Sequence, residues 1–245
     1  MPERTRHSVV PVVTEVAAGV HFVQGPASNW TILSGDGTAS LIDTGYPADF
    51  DLLRATILDV AGDVPIDAVA VTHGHSDHTG GVRGLLEAFP GLRVLAAAEE
   101  LPNIRRDELI QVGVPQLAPY LWRPRFAAWA RHAIAAGGLS DVGVPDPEAW
   151  VAGSGLTLSG HTVVPQLAPG HTPGHSVYLL PDAEAIATGD ALVTGHAVLP
   201  TLGPQPIHRV FDHDRDRALE TFASINWRRR GIAVLPGHGP VLLRP

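Results

Sequence analysis

Apolar positions in the first part of the chain come in short runs separated by turn residues. Val20, Phe22 and Val23, then Trp30, Ile32 and Leu33, then Leu41 and Ile42 sit in stretches rich in β-branched and aromatic side chains, the pattern of strands. Gly35-Asp36-Gly37 between the second and third runs predicts a hairpin. Over 50–60 the period changes. Leu52, Leu53, Ile57 and Leu58 recur at helical spacing until Gly62, which predicts an amphipathic helix. A buried strand over 68–72 follows, then a helix over about 81–88 and a strand over 93–96.

Residues 98–140 break this alternation with two helical patterns joined through Val114-Pro115-Gln116. Strands return over 156–158, 162–167, 176–180 and 185–187, and a helix near 215–225 leads to a last strand over 231–235. Two β-rich halves, each with helices, predict an α/β fold. We read residues 1–245 as a single domain carrying a helical insertion over 98–150, with a site in the crevice between the halves.

Composition narrows the chemistry. With no cysteine, disulfides, thiolate nucleophiles and Cys-held zinc are excluded, so any metal must sit on His and carboxylate. All 17 basic residues are Arg, which excludes a Schiff-base or phosphate-loop lysine. The net charge of -8 disfavours nucleic acid as a partner. Arg228-Arg229-Arg230 after Trp227 reads as a solvated helix end. No apolar run approaches the ~18 residues of a membrane helix, and the apolar stretch over 8–13 is too short for a signal-peptide core. The expectation is a cytoplasmic protein acting on a small, partly apolar molecule, with a homo-oligomer allowed.

The stretch Thr72-His73-Gly74-His75-Ser76-Asp77-His78-Thr79-Gly80-Gly81 places three histidines and an aspartate in six positions at a strand end. If the chain stays extended, His73, His75 and Asp77 point to one side and His78 to the other, so one loop feeds two neighbouring metal positions. Further ligands should come from later Gly-rich turns at strand ends. His171 in Pro169-Gly170-His171-Thr172-Pro173-Gly174-His175, Asp190 in Thr188-Gly189-Asp190 and His238 in Pro236-Gly237-His238-Gly239 qualify. Imidazole and carboxylate suit zinc, iron or manganese.

In this order, H-x-H-x-D-H, P-G-H-T-P-G-H, T-G-D and P-G-H-G resemble the metallo-β-lactamase superfamily, in particular its glyoxalase II and lactonase-type members. The resemblance implies an αββα sandwich of two mixed sheets flanked by helices. It implies one metal on His73, His75 and His171, a second on Asp77, His78 and His238, and Asp190 bridging both, most naturally as two zinc ions. Asp43 in Leu41-Ile42-Asp43-Thr44-Gly45 matches a residue that orients a ligand histidine, although an Asp before Gly45 also suits a plain turn.

The implied activity is hydrolysis of an ester, thioester or lactone by metal-activated water, with Asp77 or Asp190 moving the proton to the leaving group. Two alternatives within the superfamily are a one-iron persulfide dioxygenase, through Gly189-Asp190-Ala191-Leu192, and β-lactam amide hydrolysis. The chain's end at Pro245, close behind the His238 loop, weighs against a glutathione thioester. Ala191, Leu192, Val193 and Thr194 leave no tyrosine where homoserine-lactone lactonases carry one.

Other residues read both ways. His175 suits a hydrogen-bonding role, His7, His21, His132, His161 and His213 read as surface or core, and His196 and His208 stay open between pocket and plain loop. Trp122, Phe126 and Trp129 in the insertion either pack against the sandwich or a partner subunit, or line an apolar substrate pocket as a lid. Arg123, Arg125 and Arg131 either meet a substrate carboxylate or are solvated helix arginines.

Overall fold

The computed structural model describes residues 10–244; the expectations for the opening segment and for His7 lie outside them. Among the described residues twelve strands form two sheets. In the first, β1 (Val12–Ala17), β2 (Val20–Gln24), β3 (Asn29–Gly35) and β4 (Thr38–Ile42) pair antiparallel, and β5 (Ile66–Ala70), β6 (Arg93–Ala96) and β7 (Glu148–Ala149) extend it in parallel. In the second, β8 (Leu156–Leu158), β9 (His161–Leu167), β10 (Ser176–Leu180) and β11 (Ala185–Gly189) are antiparallel, and β12 (Ala233–Pro236) joins parallel to β11. The helices are α1 (Phe50–Ala61), α2 (Ser76–Thr79), α3 (Val82–Ala88), α4 (Leu101–Arg105), α5 (Val114–Leu117), α6 (Pro124–Ala135), α7 (Arg215–Ile225) and α8 (Trp227–Arg230).

Period-two alternation explains the layering, because both faces of each sheet are apolar. Phe22, Leu33, Ile42, Ala70 and Leu95 turn inward to meet Leu158, Val163, Tyr178, Leu180 and Leu235 of the second sheet. Their neighbours Val23, Ile32, Leu41, Val69 and Val94 turn outward against Leu53 and Ile57 of α1 and Leu85 of α3. On the far side Val177, Ile186 and Val234 pack under Ile225 of α7. The order helix, sheet, sheet, helix is the sandwich that the resemblance implied.

Local signals account for most boundaries. Asp36 and Gly37 take φ of 50° and 75°, the two positive values of the tight hairpin between β3 and β4. Asp214 caps α7 by accepting the Arg217 N–H at 3.1 Å, and Gly62 ends α1 at a φ of 77°. Arg228, Arg229 and Arg230 form the exposed end of α8. Two strands are not legible in the sequence: β1 is a partly exposed edge, and β7 is two exposed residues paired to β6. Val114-Pro115-Gln116 is not a joint between helices but the start of α5, since proline is tolerated in a first helical turn.

The sheets are tied together beneath the histidine motif. The Tyr178 hydroxyl, fully buried, donates to the Val71 carbonyl at 2.7 Å, and the Ser176 N–H donates to the Thr72 carbonyl at 2.8 Å. The end of β5 and the start of β10 are thereby held in fixed register at the mouth of the sandwich.

Candidate metal centre

The strand feeding the motif stops at Ala70, and α2 begins at Ser76 with His75 as its N-cap. The expected alternation of His73, His75 and Asp77 along an extended chain is therefore corrected. His75 is extended, with φ of -69° and ψ of 150°, but Asp77 and His78 lie on the turn of α2, whose amides at His78 and Thr79 donate to the His75 carbonyl. The turn brings Asp77 and His78 round beside His238, while the His78 ring still lies 4.2 Å from that of His73.

Later loops complete the cluster. His171 follows β9, Asp190 follows β11 and His238 follows β12. Three sets of ligand atoms each gather within 4.8 Å: His73, His75 and His171; His73, His78 and Asp190; Asp77, His78 and His238. Asp190 Oδ2 lies 3.4 Å from both His171 Nε2 and His238 Nε2, and Asp190 Oδ1 lies 3.5 Å from His78 Nε2. Asp77 Oδ2 is 3.4 Å from His238 Nε2. Close backbone approach makes this possible. A Cβ on Gly237 would collide with Asp190 Oδ1 and His78, and one on Gly189 would come within 2.7 Å of His175 Nε2.

The second nitrogen of four of these imidazoles is hydrogen-bonded from behind. His75 Nε2 donates to the Ile110 carbonyl at 2.8 Å, His238 Nδ1 to the Ala27 carbonyl at 2.7 Å and His78 Nδ1 to Asp43 Oδ2 at 2.8 Å. His73 Nδ1 pairs with Thr72 Oγ1 at 3.0 Å, and His171 Nδ1 faces Asp212 Oδ1 at 3.5 Å. The opposite atoms converge, and His73 Nε2, His78 Nε2 and Asp190 Oδ1 are buried there without hydrogen-bond partners. Unpaired buried acceptors are costly, and convergent ones fit a cation. The donor set suits a divalent metal.

Electrostatics agree. Burial, then neighbouring imidazoles, hold His73 and His175 well below the usual histidine range, and burial pushes His75 down to about 3. Burial opposes charge on His78 and His238 too, but Asp43 at the first and Asp190 at the second prevail, raising His78 and bringing His238 to about 10. Burial would raise Asp77 and Asp190, yet His78 and His238 keep both carboxylates ionised. Positive charge is wanted at these positions, and a metal ion would take it over from protons. His175 is no member of the three sets; its Nε2 accepts the Asp190 N–H at 3.0 Å and so fixes the Asp190 backbone.

Asp43 accepts three hydrogen bonds, from the Thr72 N–H and hydroxyl at 2.8 Å each and from His78. Its φ of 61° is left-handed, as in the turn reading, and its hydrogen bond to His78 Nδ1 is the contact that the other reading requires. Asp43→Ala is expected to weaken metal binding by roughly 10–100-fold, measured by competition with a chromogenic chelator.

Several residues of the site are not flagged by the sequence. Glu100, fully buried, joins the two histidine loops: Oε1 accepts the Gly74 N–H and the Asn103 amide at 2.8 Å each, and Oε2 accepts the Thr172 hydroxyl at 2.7 Å and the Gly174 N–H at 3.0 Å. Asn103 Oδ1 in turn accepts the Ile110 N–H at 2.9 Å, holding the carbonyl that anchors His75. Asp212 pairs with Arg215 at 2.6 Å on its other oxygen. The acidic cluster Asp212-His213-Asp214 was the available signal.

A cavity of about 160 Å³ opens beside the cluster, bounded by His75, Asp77, His171, Asp190 and His238 at one end and by insertion side chains at the other. Trp129 and His196 line it, and the His196 ring stands 4.6 Å from that of His238. Trp122 and Phe126 do not line it. Trp122 precedes α6 and is 76% exposed, whereas Phe126 is buried among Val193, Ile207 and Phe211. His208 packs on Tyr120 and Phe126 and accepts the Val210 N–H at 3.2 Å. Arg125 donates to the Leu199 carbonyl, Arg123 lies over the Tyr120 and Trp122 rings and Arg131 is exposed, so none of the three reaches the cavity. Tyr46, from the loop after Asp43, does line it, and burial, then Asp77 and Asp190, keeps its hydroxyl protonated.

The fold and the convergent His/Asp cluster define a metal-binding α/β sandwich, and residues 23–238 match the sequence model of the metallo-beta-lactamase superfamily. The chain belongs to that superfamily. It is 28% identical over 90% of its length to a protein of Aspergillus fumigatus named atrochrysone carboxyl ACP thioesterase, of which it covers 53%. It is 29% identical over 69% of its length to the probable metallo-hydrolase YybB of Bacillus subtilis, of which it covers 63%. The chain thus spans less than two thirds of these relatives. Among solved structures, a Cronobacter sakazakii metallo-beta-lactamase with a HARLDQ motif aligns over 94% of this chain and 78% of its own, at 20% identity and a TM-score of 0.60. No helix among the described residues is long and apolar enough to cross a membrane.

Proposed function

We propose that the chain is a dinuclear metal-dependent hydrolase that cleaves the carbonyl of a small ester, thioester or lactone. The observation carrying this reading is the shared carboxylate: Asp190 Oδ2 is equidistant, at 3.4 Å, from His171 Nε2 of one set and His238 Nε2 of the other. His73, His75 and His171 would hold one ion, Asp77, His78 and His238 the second, with Asp190 between them. A ligand set of imidazole and carboxylate without sulfur fits zinc, with iron or manganese as competitors. Bound there, the metals would supply Lewis acidity toward the carbonyl and make water nucleophilic near neutral pH.

The remaining chemistry falls to side chains. Asp77, at 15% the most exposed carboxylate of the cluster, borders the cavity and is placed to pass a proton to the leaving group. Tyr46 and His196 are the neutral donors at the cavity edge. His196 Nδ1 accepts the Val198 N–H at 3.3 Å, which leaves its proton on Nε2 for a substrate oxygen, while burial pushes the ring down to about 3 and keeps it uncharged. His196→Phe should lower kcat about 10–100-fold with little change in bound metal, read by steady-state kinetics beside metal analysis.

The deciding experiment is metal analysis joined to a panel of thioesters, esters, lactones and β-lactams on one preparation. Two zinc ions per chain with thioester or ester cleavage is the expected result. One iron per chain with sulfite formed from a persulfide would overturn it in favour of the dioxygenase alternative.

A further inference from the structure

We propose that the cavity beside the cluster seats the acyl group of the substrate, and that this group is uncharged, apolar and about six carbons long. The inference rests on the hydrolase reading for the position of the scissile carbonyl; its other grounds are the shape and chemistry of the walls.

Leu117 from α5, Trp129 and Ile134 from α6, and Ile207 and Phe211 from the loop before α7 form those walls. Among the described residues no arginine lines the cavity, and the chain contains no lysine, so beyond the cluster at its floor, where Asp77, Asp190 and His238 and the metals of the proposed centre would lie, no charged side chain faces it. The nearby cations are committed elsewhere. Arg106 donates to the Gly74 carbonyl at 2.7 Å, Arg215 to Asp212 at 2.6 Å and Arg125 to the Leu199 carbonyl at 2.9 Å. A charge at the far end of the acyl group would lie among the apolar walls, away from the cluster, with no counter-charge beside it, a costly burial. An uncharged hydrocarbon would meet only favourable contact.

Size sets the length. A dry cavity of about 150 Å³ accepts a six-carbon ring, and this one, at about 160 Å³, matches it. Ile134 and Leu139 continue the walls outward at 60% and 73% exposure, so additional carbons would run onto the surface and gain less. A second, more polar cleft of about 350 Å³ adjoins the first at His75, Gln111 and His171, and Gln116, Asp212 and His213 line it beside Leu109 and Val210. A polar thiol or alcohol leaving group belongs in that cleft, which leaves the acyl side for the apolar cavity.

Ketones that cannot be cleaved test the assignment by binding, independently of turnover. Octan-2-one carries a six-carbon arm, butan-2-one a two-carbon arm, and 7-oxooctanoate an arm of the same length ending in a carboxylate. Each methylene buried contributes about fourfold in affinity, so octan-2-one should bind at least about 30-fold more tightly than either of the others. Calorimetry gives the constants, and quenching of Trp129 fluorescence, lost in Trp129→Phe, reports the location.

Ala133, half-buried on α6, lines the cavity, and Ala133→Trp should remove the advantage of octan-2-one while leaving butan-2-one unchanged. Leu117→Arg, at a half-exposed wall position that tolerates a long side chain, should tighten 7-oxooctanoate at least about 10-fold by supplying the missing cation. Equal binding of the three ketones, or tighter binding of 7-oxooctanoate to the parent protein, overturns the proposal. If the ketone ranking holds while no ester or thioester is cleaved, the hydrolase reading fails and the cavity assignment stands. If cleavage occurs with a flat ranking, the reverse is true.

Discussion

Replacing Asp190 by Ala will lower hydrolysis by roughly 10³-fold and leave less than two equivalents of metal on the dialysed protein. The size follows from what the carboxylate contacts. Metal charge stabilisation is worth several kcal/mol in such reactions, and each 1.36 kcal/mol is tenfold in rate. Among the described residues Asp190 is the one side chain whose oxygens approach His78, His171 and His238 together, at 3.4 to 3.5 Å. Its removal takes from His238 the main charge that raises it, and from His78, raised chiefly by Asp43, a lesser one. Elemental analysis and kcat/KM on the same sample check the result, with circular dichroism as the control for folding. A variant that keeps two metal ions and the parent rate would show that the reaction runs elsewhere.

Glu100→Ala carries the second large effect, and it falls first on stability. Four donors converge on this carboxylate, two from the Gly74 side and two from the Thr172–Gly174 side. Truncation strands them in a fully buried place, a loss of about 3–5 kcal/mol. For a chain of this size that corresponds to a fall in Tm of roughly 10 °C. Glu100→Gln separates positioning from mere bulk. An amide can accept on one side only, so its NH₂ must face either the Gly74 and Asn103 donors or the Thr172 and Gly174 donors. One histidine loop then loosens, and we expect weaker metal binding together with a melting loss smaller than that of Glu100→Ala. A glutamine variant with parent metal affinity would reduce Glu100 to packing.

The convergence of the residues read as metal ligands was legible in the sequence because each stands in a short local signature at a strand end, where backbone geometry and side-chain chemistry are encoded side by side. Only the route was misread. An extended chain through Asp77 looked sufficient, whereas a single helical turn from Ser76 does the work. Glu100 was not legible, since burial is a property of the fold: Glu99 beside it is exposed, and nothing in the pair Glu99-Glu100 separates them. The insertion was legible only in outline. Pro115 and Pro119 open turns of four and three residues, too short for periodicity, and within α6 Phe126 and Trp129 stand three apart on one face, so spacing does not say which of them meets the cavity. Trp122 and Trp129, seven residues apart, would share a face of one helix, but α6 starts at Pro124 and leaves Trp122 outside it.

Glu100 and Asn103 also divide the insertion into two parts with different freedom to change. Residues 98–110 grip Gly74, Gly174 and, through Ile110, His75, so they share the fate of the metal loops. Residues within 111–139, among them Leu117, Trp129 and Ile134, line the cavity and are the ones proposed above to meet an acyl group. A graft meant to exchange specificity therefore has a natural seam between Ile110 and Gln111. Segments swapped downstream of it should retune which substrate is accepted, while a swap that starts at residue 98 would carry away the clamp on which the chemistry depends.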